Sequence, residues 1–152
     1  MVEDAVVVKG SFRLQITEDG KIVGDSGWWT NLITNEGFRA MLRTVAAISG
    51  SSQISHLALG SGGAPIAADT TLAGEVVKRQ AVTAATSSTS KAVQFTGTFS
   101  SANSFVTNTQ NISNIGLFAT SSGGTLFCGN TYASSSCATN QDVNVTYVLS
   151  WT

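Results

Sequence analysis

His56 is the single histidine of the chain, so one copy cannot build a zinc site from several imidazoles. A Ser-His-Asp set remains open on residue types alone, because hydroxyls and carboxylates are plentiful and chain order does not forbid it. The Gly-x-Ser-x-Gly elbow that places such a serine is missing. Gly60-Ser61-Gly62 is the nearest approach and lacks the strand-to-helix setting that the nucleophile needs. The same Gly60–Gly63 run fails as a phosphate loop, since Ala64-Pro65 follow it rather than Lys-Ser or Lys-Thr. Beyond Glu36 the acids are Asp69, Glu75 and Asp142. Glu75 and Arg79 stand four apart, a spacing that suits an ion pair, either with each other or across a subunit contact, better than a general acid. The chain therefore reads as non-enzymatic, with no cofactor and no metal expected.

Two further groups carry chemistry of a quieter kind. Cys128 and Cys137 bracket eight residues, the spacing of a short disulfide loop or of two thiols left free in a reducing cytosol. Trp28, Trp29 and Trp151 offer flat apolar faces, for stacking on carbohydrate or for packing in a core or a subunit interface.

Composition narrows the partners. The 152 residues make one β-rich domain, 42% apolar and only 11% charged, where about 25% is usual. Serine and threonine number 39. A net charge of −1 supplies no field for a phosphate backbone or an anionic membrane, so neither nucleic acid nor membrane is an expected partner. All lysines and arginines, and every acid but Asp142, lie between Glu3 and Lys91. A half so poor in ions stays in solution through hydroxyls and amides, or else is covered by neighbouring subunits, which hints at assembly. No window reaches the 18 or so apolar residues of a membrane span, and the start Met1-Val2-Glu3-Asp4 lacks the basic residues of a secretion signal. The expected compartment is the cytoplasm, unless a larger particle carries the chain out.

The elements that must position these residues are mostly strands. Residues 1–25 read as a hairpin: Ala5 to Lys9 is apolar, Phe12, Leu14 and Ile16 alternate, and Glu18-Asp19-Gly20 turns the chain into Lys21-Ile22-Val23. Phe38, Met41, Leu42 and Val45 fall at i, i+3, i+4 and i+7, predicting one helix over about 36–48, capped by Thr34 or Asn35 and ended by Gly50. Strands follow near 54–59, 78–85, 93–99, 112–119, 125–132 and 143–151. In the last of these Val143, Val145, Tyr147, Leu149 and Trp151 share one face, which predicts a core strand with both aromatics inside. The predicted fold is mainly β, a β-sandwich or jelly-roll-like barrel with one short helix and an N-terminal β-hairpin. The hairpin, Ala5 to Val23, is a candidate for a partner-facing or subunit-exchanging arm unless it belongs to the sandwich itself. Candidate interface residues are Val6, Val8, Phe12, Leu14, Trp28, Trp29, Glu75 and Arg79.

Several stretches carry a family resemblance. Asn31-Leu32-Ile33-Thr34-Asn35-Glu36-Gly37-Phe38, then Ile54-Ser55-His56-Leu57-Ala58-Leu59-Gly60-Ser61-Gly62, then Asp69-Thr70-Thr71-Leu72-Ala73-Gly74-Glu75 with Arg79, resemble small virion structural proteins of tailed bacteriophages. Asn114-Ile115-Gly116-Leu117-Phe118 and Gly124-Thr125-Leu126-Phe127 look like the later strand pair of that family, and the likeness spans about residues 28–152. Ahead of Gly-Leu-Phe the family leads one to expect an acid, and this chain has Asn114. The resemblance implies a protein present in many copies on a capsid or in a tail, assembled in the host cytoplasm. The first expectation is a capsid decoration or cement protein, a trimer, bound to the major capsid protein. The alternative is a tail fibre, knob or baseplate protein touching host carbohydrate.

Overall fold

Asp19 and Gly20 both adopt positive φ, 49° and 75°, as a type I′ turn requires. They join β1 (Val8–Glu18) to β2 (Lys21–Asp25), the hairpin that the sequence predicts. The computed structural model describes residues 7–76, 78–86 and 90–152; Val6 and the expected start of the hairpin at Ala5 lie outside them. β1 does not stand apart from the later strands. It pairs along its length with the last strand, β11 (Asp142–Trp151), from Val8 opposite Trp151 to Thr17 opposite Asp142.

Between these ends run β3 (Trp29–Thr30), β4 (Leu32–Ile33), α1 (Asn35–Val45), β5 (His56–Gly60), β6 (Gln80–Ala81), β7 (Thr83–Ala85), β8 (Ala92–Phe99), β9 (Gln110–Phe118) and β10 (Leu126–Cys137). One sheet has the order β2-β1-β11-β8-β7, with β3 also on β1; the other has the order β4-β10-β9-β5-β6. Every pairing among the described residues is antiparallel. The fold is thus mainly β, with two antiparallel sheets and one helix. No barrel closes among the described residues, because each sheet ends on short edge strands. Phe12, Leu14, Phe95, Phe99, Val145 and Tyr147 from the first sheet share one buried cluster with Leu57, Leu59, Ile112, Ile115, Leu117 and Tyr132 from the second. Alternation along the strands puts these residues on the facing sides.

Two elements differ from the sequence reading. α1 stops at Val45, three residues before the predicted end. Ala47 takes a left-handed φ of 50°, and the Ile48 and Ala47 amides donate to the Arg43 and Thr44 carbonyls. That is a Schellman stop, set by an alanine before Gly50 is reached. β10 runs on to Cys137, through Ser134-Ser135-Ser136, where a loop was expected. Pairing with β9 supplies the order that serine propensity does not, and an irregularity between Thr131 and Ser135 absorbs extra residues.

Candidate interaction surface

His56 opens β5, and its Nδ1 lies 2.8 Å from the hydroxyl of Ser55. That hydroxyl donates its one proton to the Ala119 carbonyl at 2.6 Å. The imidazole Nδ1 must then be the donor to Ser55 Oγ, so it is not placed to take the serine proton. No group of three or more His, Cys, Asp or Glu side chains gathers among the described residues.

Glu75 and Arg79, candidates for an interface, satisfy each other within the chain. Arg79 Nε donates to Glu75 Oε1 at 2.6 Å and Nη2 to Oε2 at 3.0 Å. Nη1 donates to the Thr120 and Gly123 carbonyls at 3.0 and 2.7 Å, and the guanidinium lies 3.5 Å over the Phe118 ring. With its side chain only 6% exposed, Arg79 staples the turn after β9 to the segment before β6. Asn114 is fully buried beside this region, and its Nδ2 donates to Gly63 O at 3.2 Å and Ala73 O at 2.9 Å. A carboxylate there would set its oxygens against two carbonyls, which explains why an amide suits this chain.

The disulfide considered from spacing is not formed: both thiols are free and buried. They lie on the single strand β10 opposite Leu117 and Gln110 of β9, seven positions apart and so roughly 23 Å at strand rise, whereas a bridge needs Cα atoms within about 7 Å. Burial pushes the Cys128 thiol up to about 12. Burial, followed by the nearby Asp142, pushes Cys137 up to about 11. Cys128 belongs to a small polar island in the core, where Asn31 Nδ2 donates to the Tyr147 hydroxyl at 2.7 Å. Sequence reasoning missed this island, since residues 31, 128 and 147 share no local pattern.

Compared with known proteins, the chain matches no family model, no curated sequence and no solved structure. Its surface must speak for it.

Phe12 and Leu14 are buried and Val8 packs against the same core, so these three candidates are spent inside the molecule. Trp28 and Trp29 do remain open, with Trp29 Nε1 donating to the Ser26 carbonyl at 2.8 Å. A run of exposed apolar side chains lies on α1. Thr34 caps the helix by accepting from the Gly37 amide at 3.0 Å, while its own hydroxyl donates to Leu126 O at 2.5 Å. A Cβ at Gly37 would collide with the Phe127 carbonyl. The helix therefore lies down on β10 along its small side, with Gly37 against the strand and Ala40 and Met41 packed on the core. The large apolar residues are left pointing away: Phe38 is 44% exposed, Leu42 69%, Val45 87%, and Ile48 just beyond the helix 51%. Beside them a groove of about 340 Å³ opens between α1 and the first sheet, lined chiefly by Met41, Val45, Ile54, Val93, Phe95 and Trp151. The rim of α1 is charged. Glu36 pairs with Arg39, and Arg43 stands exposed in the last turn. The signal available in the sequence was Gly37 in the first turn of the helix, a weak helix former of the kind that admits a close approach of another backbone. Among the described residues no helix is long and apolar enough to cross a membrane.

Proposed function

We propose that the chain is a non-enzymatic structural subunit of a tailed-phage virion, a capsid decoration or cement protein that binds the major capsid protein and its own copies. The observation that carries this reading is the uncovered apolar side of α1, with the groove beside it. Contiguous apolar surface of this kind marks protein contacts, and it works by shape and dry packing without reactive groups. The residues that carry the family likeness support it, since they are structural in this chain. Thr34 caps α1, Gly37 admits the Phe127 carbonyl, Glu75 holds Arg79, and Asn114 ties down the 63–73 loop. Our reading of the fold is a sandwich whose two sheets face each other across the shared core.

A tail position is the second reading. The open Trp28 and Trp29 side chains favour it, as a platform for host carbohydrate. Quantifying the protein in purified particles separates the two. Hundreds of copies are expected for a decoration protein and a few to a few dozen for a tail part; absence from particles overturns both.

A further inference from the structure

We infer that the outer side of the first sheet binds an uncharged saccharide, in the groove where β7 stops short of the end of β8. β7 pairs only with Gln94–Thr96. The Gly97–Phe99 end of β8 therefore has β11 on one side and no described strand paired to the other. A groove of about 450 Å³ opens there, a size within the range of ligand sites. Its polar lining is Gln80, Thr83, Thr96, Thr98, Asn144 and Thr146, and no charged residue is among those that line it.

Strand register aligns these groups. Thr83 stands opposite Thr96 and Thr96 opposite Thr146, so three hydroxyls form a row across three strands, at steps of about 4.8 Å. Phe95 and Tyr147, their neighbours along β8 and β11, are buried in the core, which sets the threonines on the far side of the sheet. Among the described residues these three hydroxyls have no hydrogen-bond partner in the chain. Two positions along, Thr98 Oγ1 donates to Asn144 Oδ1 at 2.8 Å, and Asn144 Nδ2 donates to Thr17 Oγ1 at 3.2 Å. Those bonds hold the Asn144 amide in place before any ligand arrives, which lowers the ordering cost of binding.

The chemistry of the lining selects the ligand. A threonine hydroxyl both donates and accepts, as does each hydroxyl of a sugar ring. A phosphate or carboxylate would find no cation in the groove, and a metal ion no acid. The next position in the row is Arg13, opposite Thr146, and it is neutralised by Asp25, which also accepts from Gln15 and from the Gly27 amide. Past Arg13 the row reaches β3, where Trp28, 54% exposed, precedes the Trp29 that pairs with Phe12. Several sugar rings laid across the strands run from the groove toward that indole, a stacking platform for their apolar faces.

The inference deepens the tail reading and rests on it for the source of the glycan. Its test is an NMR titration of the backbone amides of the purified full chain. The probes are the neutral hexasaccharides of glucose, mannose, galactose and N-acetylglucosamine, with hexagalacturonate as the charged control. A site built on neutral hydrogen bonds is expected to bind with Kd on the order of 1 mM. At least one neutral sugar should shift the amides of Thr83, Thr96, Thr98, Asn144 and Thr146 saturably, and hexagalacturonate should not. The double variant Thr96→Val with Thr146→Val keeps the side-chain shapes and removes two hydroxyls. It should weaken binding about tenfold without lowering the thermal midpoint. Shifts that are absent with every neutral sugar, that fall outside the groove, that survive the double substitution undiminished, or that hexagalacturonate reproduces overturn the inference. Copy number keeps the two claims apart. Tail-level copies in particles without these shifts leave the tail reading standing and remove the groove, whereas saturable shifts in a protein present in hundreds of copies remove the tail position and keep the groove.

Discussion

β11 and α1 carry the two clearest hydrophobic periodicities in the chain, one of period two and one of period 3.6, and the fold treats them in opposite ways. On β11 the patterned face is buried from Val143 to Leu149, because the strand is held between β1 and β8 and every second side chain points at the opposite sheet. On α1 only Met41 of the patterned residues packs inward while Phe38, Leu42 and Val45 stay exposed, and the helix is fixed to β10 by a glycine and a cap. Periodicity establishes that residues share a side. What covers that side is decided by tertiary neighbours, and among the described residues none covers Phe38, Leu42 or Val45 of α1.

The sharpest way to break this contrast is to shorten β11 side chains. Tyr147 is fully buried, stacks on Phe12 with ring centroids 5.5 Å apart and accepts from Asn31. Tyr147→Ala should cost about 3–5 kcal/mol in urea unfolding. Trp151, expected from its alternation to be a core residue, is 39% exposed at the mouth of the groove. It is the last residue of its strand, with too little opposite it to close the site. Trp151→Ala should cost only about 1 kcal/mol, and equal losses at the two positions would mean that the groove is closed in solution.

The Arg79 staple tests the opposite case, a charged side chain that the fold covers almost entirely. Removing one member of a buried, hydrogen-bonded ion pair costs about 3–5 kcal/mol. Arg79→Met should fall near 3 kcal/mol, the low end, because Glu75 keeps a quarter of its side chain in water and can be resolvated. The expected signature is faster proteolysis in the 119–125 turn, which would lose its two carbonyl contacts. An unchanged midpoint and unchanged cleavage would show that the staple is ornamental.

The sequence was legible where local chemistry is sufficient. Asp19-Gly20 dictates its turn, Thr34 its cap, and the alternation from Val143 to Leu149 its buried face. The four-residue spacing of Glu75 and Arg79 also announced a pair. It was not legible where distant backbone decides the outcome. The serines of β10 have no strong strand preference and are ordered by β9, so the segment between the cysteines read as a loop and invited a disulfide that a continuous strand forbids. Phe12 and Leu14 read equally well as an arm or as a core, and the ten-residue register with β11 placed them inside. The candidate surface itself could be found as a stripe but not as a surface. Only the close approach of Gly37 to Phe127 shows which way the helix lies.

The smallest expected effect completes the comparison. Leu42 is 69% exposed, and its neighbours in the stripe, Phe38 and Val45, are also largely open. Leu42→Ser should change the unfolding free energy of the monomer by less than about 0.5 kcal/mol, the usual range for a surface site away from caps and ion pairs. The measurement belongs at dilutions where association contributes nothing to the folded state, since any partner that binds only the native form adds apparent stability by mass action. Repeated at high concentration, the same substitution should lower the thermal midpoint relative to the parent where copies of the chain cover this face, because binding to the native form then stabilises the parent alone. A large loss already present at low concentration would instead place Leu42 in the core of the single chain, and the difference between α1 and β11 would vanish.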